Sequence, residues 1–244
     1  NNKIFKAILK DQLTNVLDVY RNYSVLCSSL ILIKKVNQIQ FIKNLVLFYP
    51  WPQNSFKGNL YSSYSNISRR ILLYWGVKNN SLDWDFLKNI ENEIINKGPL
   101  FEYIDKVLLV GPWAKNEMAL KSPLLSLKRK KVIIDMKASE FSQLPIKRVL
   151  AGIIPFQEGC NKSLIDVELA NKSFSFLEYG IPLIIKGLPN FIEKSFFPKI
   201  NNVEELYSAL KSINNELDLK REIQIFYHSN SAQVRFNNLM SSMN

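Results

Sequence analysis

The stretch NKSFSFLEYGIPLII, residues 171–185, sets one lysine and one glutamate six residues apart on an otherwise apolar helical pattern. It then turns through Gly180-Ile181-Pro182 into a bare apolar run. A lysine ammonium on its flexible stem can offset phosphate charge, and a carboxylate can accept two hydroxyl hydrogen bonds side by side. Lys172 and Glu178 are thus the residues of this stretch with a polar chemistry to account for. The competing reading is a helix with two solvated charges before a turn and a core strand.

Other chemistries are less well supplied. His228 is the one histidine and falls in a C-terminal helical pattern, so no Ser-His-Asp grouping can be built. Cys27 and Cys160 lie far apart without ligand-spaced partners. That disfavours a metal site and a disulfide framework, and fits a reducing cytoplasmic setting. No Gly-x-Gly-x-x-Gly follows a strand and no Walker A run is present, so no nicotinamide, flavin or other cofactor is expected.

The elements that must carry these residues alternate short apolar runs with helical patterns. Strands are expected at 23–28, 44–49, 70–75, 106–110, 131–134, 151–156 and 182–185. Helices are expected at 29–38, 82–96, 143–150, 167–179, 203–213 and from 217 to about 240. Ser81 or Asp83 is placed to cap the second, and Asn201 or Asn202 the fifth. Apolar strands separated by helices predict an α/β fold, a Rossmann-like parallel sheet with helices on both faces. Ligands of such sheets sit beyond the carboxyl ends of the strands. That rim would carry Lys78, Lys115, Lys162, Lys172 and Lys186, a setting that suits phosphate.

Composition adds bounds. The 244 residues are 47% hydrophobic and carry a net charge of +11, enough apolar matter for a substantial core and a surface suited to polyanions. The basic run Lys128–Lys131 reads as a solvated loop at a strand entrance. Basic residues do not interleave with aromatics in any nucleic-acid-binding module, so no nucleic acid is expected as partner. No window reaches 18 uninterrupted apolar residues. The start at Asn-Asn rather than Met predicts a fragment or a processed product.

In order, RILLYWG, LDWDFL, KVLLVGP, SQLP, IIPF and NKSFSFLEYGIPLI resemble the C-terminal half of a GT-B glycosyltransferase of the family 1/family 4-like group. The resemblance covers residues 69–215. It implies a nucleotide-sugar-binding Rossmann-like domain at 58–215. Residues 1–57 then resemble the end of the N-terminal acceptor-side domain and its linker, a partial second α/β domain, and 216–244 a closing helical segment in which Arg235 matches the family arginine.

The resemblance also implies roles. Lys172 matches the lysine beside the donor diphosphate, and Gly76 a glycine that lets backbone approach phosphate. Gly180 and Pro182 match the turn into the last strand. The family glutamate that contacts ribose falls three residues after the lysine, where this chain has Ser175. Two registers stay open: Ser175 replaces the glutamate, which keeps helix length and is preferred, or Glu178-Tyr179 is the family pair across a gap. The donor-binding set is thus Gly76, Lys78, Lys172, Ser175, Glu178, Tyr179 and Gly180, with no catalytic residue assigned. A second glutamate of the retaining type is absent, Glu168 being the nearest, so stereochemistry is not assigned.

The implied function is transfer of a sugar from a nucleotide-diphosphate sugar to a glycan or lipid-linked acceptor. This chain would supply mainly donor binding and turn nothing over alone. The expected location is the cytoplasm, with basic charge offering peripheral contact to anionic membrane at its inner face. The alternative is a non-catalytic Rossmann-like module that binds nucleotide or a partner.

Overall fold

Strand runs as apolar as ILLYW and VLAGIIP need cover on both faces, and the chain supplies it with helices that bury one stripe each. The computed structural model describes residues 25–39, 45–58, 69–114, 131–137, 143–159, 166–216 and 218–243. Near the N-terminus β1 (Val25–Cys27) and β2 (Leu45–Leu47) pair in parallel, with α1 (Leu30–Ile39) between them in sequence. Then come β3 (Ile71–Trp75), α2 (Trp84–Ile95), β4 (Lys106–Val110), β5 (Ile133–Met136) and β6 (Val149–Pro155). The chain closes with α3 (Asn171–Leu177), β7 (Leu183–Lys186), α4 (Val203–Asn215), α5 (Leu219–Ser229) and α6 (Ala232–Met243).

Strands β3 to β7 form one five-stranded sheet in the order β5-β4-β3-β6-β7, and every neighbouring pair is parallel. Helix α2 turns Phe86, Leu87, Ile90 and Ile94 inward and packs on α4, which buries Leu206, Leu210 and Ile213. Helix α3 packs on α5 and β7. Each fully buried leucine or isoleucine contributes about 1.5–3 kcal/mol, so this continuous core is what holds the sheet. The caps resolve the sequence alternatives: Asp83 accepts from the Phe86 N–H at 2.9 Å, and Asn202 from the Glu205 N–H at 2.8 Å.

Because all five strands run one way, their carboxyl ends share an edge. The order reverses at the β3/β6 pair, with β4 and β5 on one side and β7 on the other. A crevice at such a reversal is where open α/β sheets hold ligands. Backbone packing there is close. Gly111 follows β4 with φ +128°, and a Cβ on it would meet the Gly76 carbonyl oxygen at 2.2 Å. Gly111→Ala should therefore lower stability by about 1–3 kcal/mol from the backbone conformation alone, before any clash is counted. Urea unfolding checks this through a lower midpoint at unchanged slope.

Three sequence expectations are corrected. Residues 143–150 form no α-helix, because Pro145 stops regular structure and a short 3-10 turn at Ile146–Arg148 leads straight into β6. The helix expected over 167–179 is confined to Asn171–Leu177, since Ala170 is extended (φ −94°, ψ 142°). The final helix is two, because Asn230 ends α5 with its side-chain amide on the Phe226 carbonyl at 2.7 Å.

Candidate functional site

Gly76 stands at the end of β3, at the reversal point, and the side chain that fills the space above it is Lys172 from the first turn of α3. A Cβ on Gly76 would come 2.4 Å from Lys172 Nζ and 2.8 Å from Tyr74 Oη. The glycine is thus a requirement of close approach, and the chain brings two residues 96 positions apart in sequence to one point. Tyr74 is buried, donates its hydroxyl to the Val77 carbonyl at 2.7 Å, and presents its ring 6.0 Å from Lys172 Nζ. Burial depresses the Lys172 pKa, and no carboxylate among the described residues offsets it. A partly desolvated ammonium without a counter-charge at a strand end favours an anionic ligand.

Below Lys172 the face of α3 continues with Ser175 and Glu178. Together with Trp51, Gln53 and Asn54 they line a small cleft of about 180 Å³. Ser175 is half-buried there. The Glu178 carboxylate is already engaged: Lys57 Nζ lies 2.6 Å from Oε1, and Asn54 Nδ2 donates to Oε2 at 2.8 Å. The hydrogen bond to Glu178 raises the Lys57 pKa. The Glu178 carbonyl also accepts from the Lys57 N–H at 2.6 Å, and the Asn54 carbonyl accepts from the Tyr227 hydroxyl at 2.6 Å. Segment 51–58 is therefore strapped across α3 and α5.

The remaining candidate residues fall elsewhere. Tyr179 lies against the strap, its ring 5.2 Å from Lys57 Nζ, and Gly180 (φ +67°) makes the left-handed turn that ends α3 beside Gly58. Lys78 is 1% exposed; it pairs with Asp135 at 2.6 Å, donates to the Gly111 carbonyl, and faces the Trp113 ring. Lys186 pairs with Asp83 at 2.7 Å. Of the rim lysines described, Lys172 alone has no carboxylate partner among the described residues. Lys115, Lys162 and Cys160 lie outside the described residues. Cys27 is buried, which raises its thiol pKa, and His228 is exposed beside Phe56. No group of His, Cys, Asp or Glu among the described residues is arranged to hold a metal ion, and no described helix is long and apolar enough to cross a membrane.

Sequence reasoning missed Asp135 and Asp83 as the partners that neutralise Lys78 and Lys186. A signal existed: Asp135 interrupts an apolar run next to a strand end, where an acid needs a partner. A larger groove of about 770 Å³ opens between α2 and α4. Asp85, Glu93 and Glu204 line it with the Asp83–Lys186 pair, so it repels phosphate and is not the anion site.

No protein-family model and no curated protein sequence matches the chain. Solved structures do. A complex of S. aureus TarM with fondaparinux, alpha-GlcNAc-glycerol and UDP superposes with a TM-score of 0.60 at 10% identity, over 91% of this chain and 44% of that one. The lipopolysaccharide outer core galactosyltransferase WaaB gives 0.61 at 13% identity, over 90% of this chain and 61% of that one. Anabaena HepE in complex with UDP gives 0.59 at 12% identity, over 96% and 67%. The chain thus spans between about two fifths and two thirds of the length of these proteins.

Proposed function

The chain has the GT-B fold of glycosyltransferases, and from that premise we propose that it binds a nucleotide-diphosphate sugar at the β3/β6 crevice. The observation that carries this reading is the Lys172 ammonium held over Gly76 at the sheet's reversal point, with no carboxylate partner among the described residues. Lys172 would receive the diphosphate, where its charge opposes the negative charge that builds on the leaving nucleotide. The backbone after Gly76 would approach the same phosphates. Ser175, one turn further along α3, would offer a hydroxyl to the ribose, while Glu178 holds the strap. UDP is the preferred nucleotide, because TarM and HepE were solved with it.

The reaction would be displacement at the anomeric carbon: the acceptor oxygen forms the new glycosidic bond, and the bond to the diphosphate breaks with its electron pair. A glycan or lipid-linked acceptor is the proposed second substrate, reached with residues beyond the crevice described. The rival reading is a non-catalytic nucleotide- or partner-binding module. It is favoured by one feature of the sequence: three residues after Lys172, where the resemblance implies a carboxylate in the ungapped register, the chain has Ser175.

Thermal stabilisation of the chain by UDP, GDP, ADP and CMP tests the proposal. One nucleoside diphosphate, expected to be UDP, should raise Tm in proportion to the logarithm of its concentration. A folded chain whose Tm none of the four moves would transfer the reading to a partner-binding module.

A further inference from the structure

Glu168 is buried, yet its carboxylate is not among the groups lining the Lys172 cleft. Its Oε2 instead accepts two hydrogen bonds from the N-terminal part of the chain: the Leu30 N–H at 3.1 Å and the Tyr49 hydroxyl at 2.5 Å. Leu30 is the first residue of α1, so the carboxylate also meets the positive end of that helix. The Tyr49 ring carries the Arg235 guanidinium of α6 at 5.2 Å. Two residues before Glu168, Asp166 pairs with Lys35 of α1, 2.5 Å apart. Through its own carbonyl Glu168 accepts from the Ile192 N–H at 2.8 Å, so the residue is fixed on both sides.

The segment held in this way leads directly into α3. Only Leu169 and Ala170 separate Glu168 from Asn171–Lys172. Helix α3 has seven residues, and its N-cap Ala170 makes no side-chain capping bond. So short a helix has little stability of its own, and the place of its first turn depends on what holds the chain before it.

We propose that Glu168 is a positioning residue: it ties segment 166–170 to the β1–α1–β2 unit and thereby sets Lys172 over Gly76. The nucleotide site and the contact between the two sheets are then one coupled event. The link from Lys172 to nucleotide rests on the function proposed above; the positioning does not. Amide hydrogen exchange of residues 169–176 without nucleotide tests the positioning on its own. Glu168→Ala should speed exchange there by about tenfold or more, because the first turn of α3 opens locally. Tyr49→Phe, which removes one of the two donors to Glu168 at a residue that does not line the cleft, should give a smaller effect that is absent in the Glu168→Ala background. Glu168→Gln, which keeps an acceptor oxygen, should fall between wild type and alanine.

Titration with UDP forms the second arm. Coupling of this kind is commonly 5- to 150-fold, and Glu168→Ala should weaken UDP binding by at least about fivefold, with the glutamine variant again between. Unchanged exchange in both Glu168→Ala and Tyr49→Phe would overturn the proposal, whatever UDP does. Faster exchange in Glu168→Ala, together with a wild-type chain that binds no UDP, would uphold the positioning and overturn the donor-site reading. Faster exchange with unchanged UDP affinity would overturn the coupling.

Discussion

Lys172→Ala is expected to weaken UDP binding by about 10- to 150-fold, the equivalent of the roughly 1.5–3 kcal/mol that a hydrogen bond to a charged group contributes. The upper end applies if the amine meets both phosphates in the partly dry crevice. Stability without ligand should change in the opposite sense. Burial holds the Lys172 pKa below its ordinary value, so between the lowered pKa and 10.5 the folded chain binds fewer protons than the unfolded one. Stability from this group therefore rises with pH across that window and is lost as pH falls below it. A nucleotide diphosphate bound as proposed would bring a counter-charge and lift the pKa again. Its binding should take up a fraction of a proton as pH enters the window, measurable as a buffer-dependent binding enthalpy. Lys172→Ala should abolish that uptake. Gly76→Ala should mimic part of the loss, since the new methyl would fall 2.4 Å from the amine and 2.8 Å from the fixed Tyr74 hydroxyl.

Removing Lys78 should act on the fold instead. Lys78 is 1% exposed, and its amine answers the Asp135 carboxylate and the Gly111 carbonyl at the ends of β5 and β4. Lys78→Ala removes the buried ammonium that pairs with Asp135 and donates to the Gly111 carbonyl, and leaves a void, a combination that costs about 3–5 kcal/mol. For a chain of this size that is a fall in Tm of about 6–20 °C. The double variant Lys78→Met/Asp135→Leu, which removes both charges and keeps volume, should recover most of it. Calorimetry on the three variants checks the cycle. UDP affinity of the folded Lys78→Met/Asp135→Leu protein is expected to stay within about threefold of wild type. A larger loss would return Lys78 to the donor site, where its place on the rim first put it.

Much of this was legible in the residues. KVLLV gives a strand of the same bounds in sequence and structure, because five apolar or stem-bearing residues between Asp105 and Gly111 leave little choice. Five parallel strands followed from the absence of polar alternation. The candidate site was legible to the extent that Lys172 opens an apolar helix and Gly76 ends a strand. What local spacing could not carry was pairing at a distance. Asp135 with Lys78 and Asp83 with Lys186 meet only because β5, β4, β3, β6 and β7 lie in that order. The same holds for Glu178, whose partners Lys57 and Asn54 belong to the strap. The overlong helix at 167–179 has a related cause: helical periodicity continues through Glu168, but its side chain and carbonyl are claimed by α1, Tyr49 and Ile192. Tertiary partners overrode a local preference there.

The strand order also sets a timetable. The central pair, β3 and β6, joins Ile71 to Val149, so one edge of β3 stays open until most of the chain has left the ribosome. A nascent chain that has made only β3, β4 and β5 carries Leu72, Leu73 and Tyr74 on that open edge, a surface that pairs readily with other chains. Closure of the sheet must wait for β6, and long-range parallel pairing is intrinsically slow. Production of this protein should thus be limited by how long the half-built sheet is left uncovered. Slower synthesis would lengthen that exposure, and a chaperone that shields the β3 edge would raise the yield.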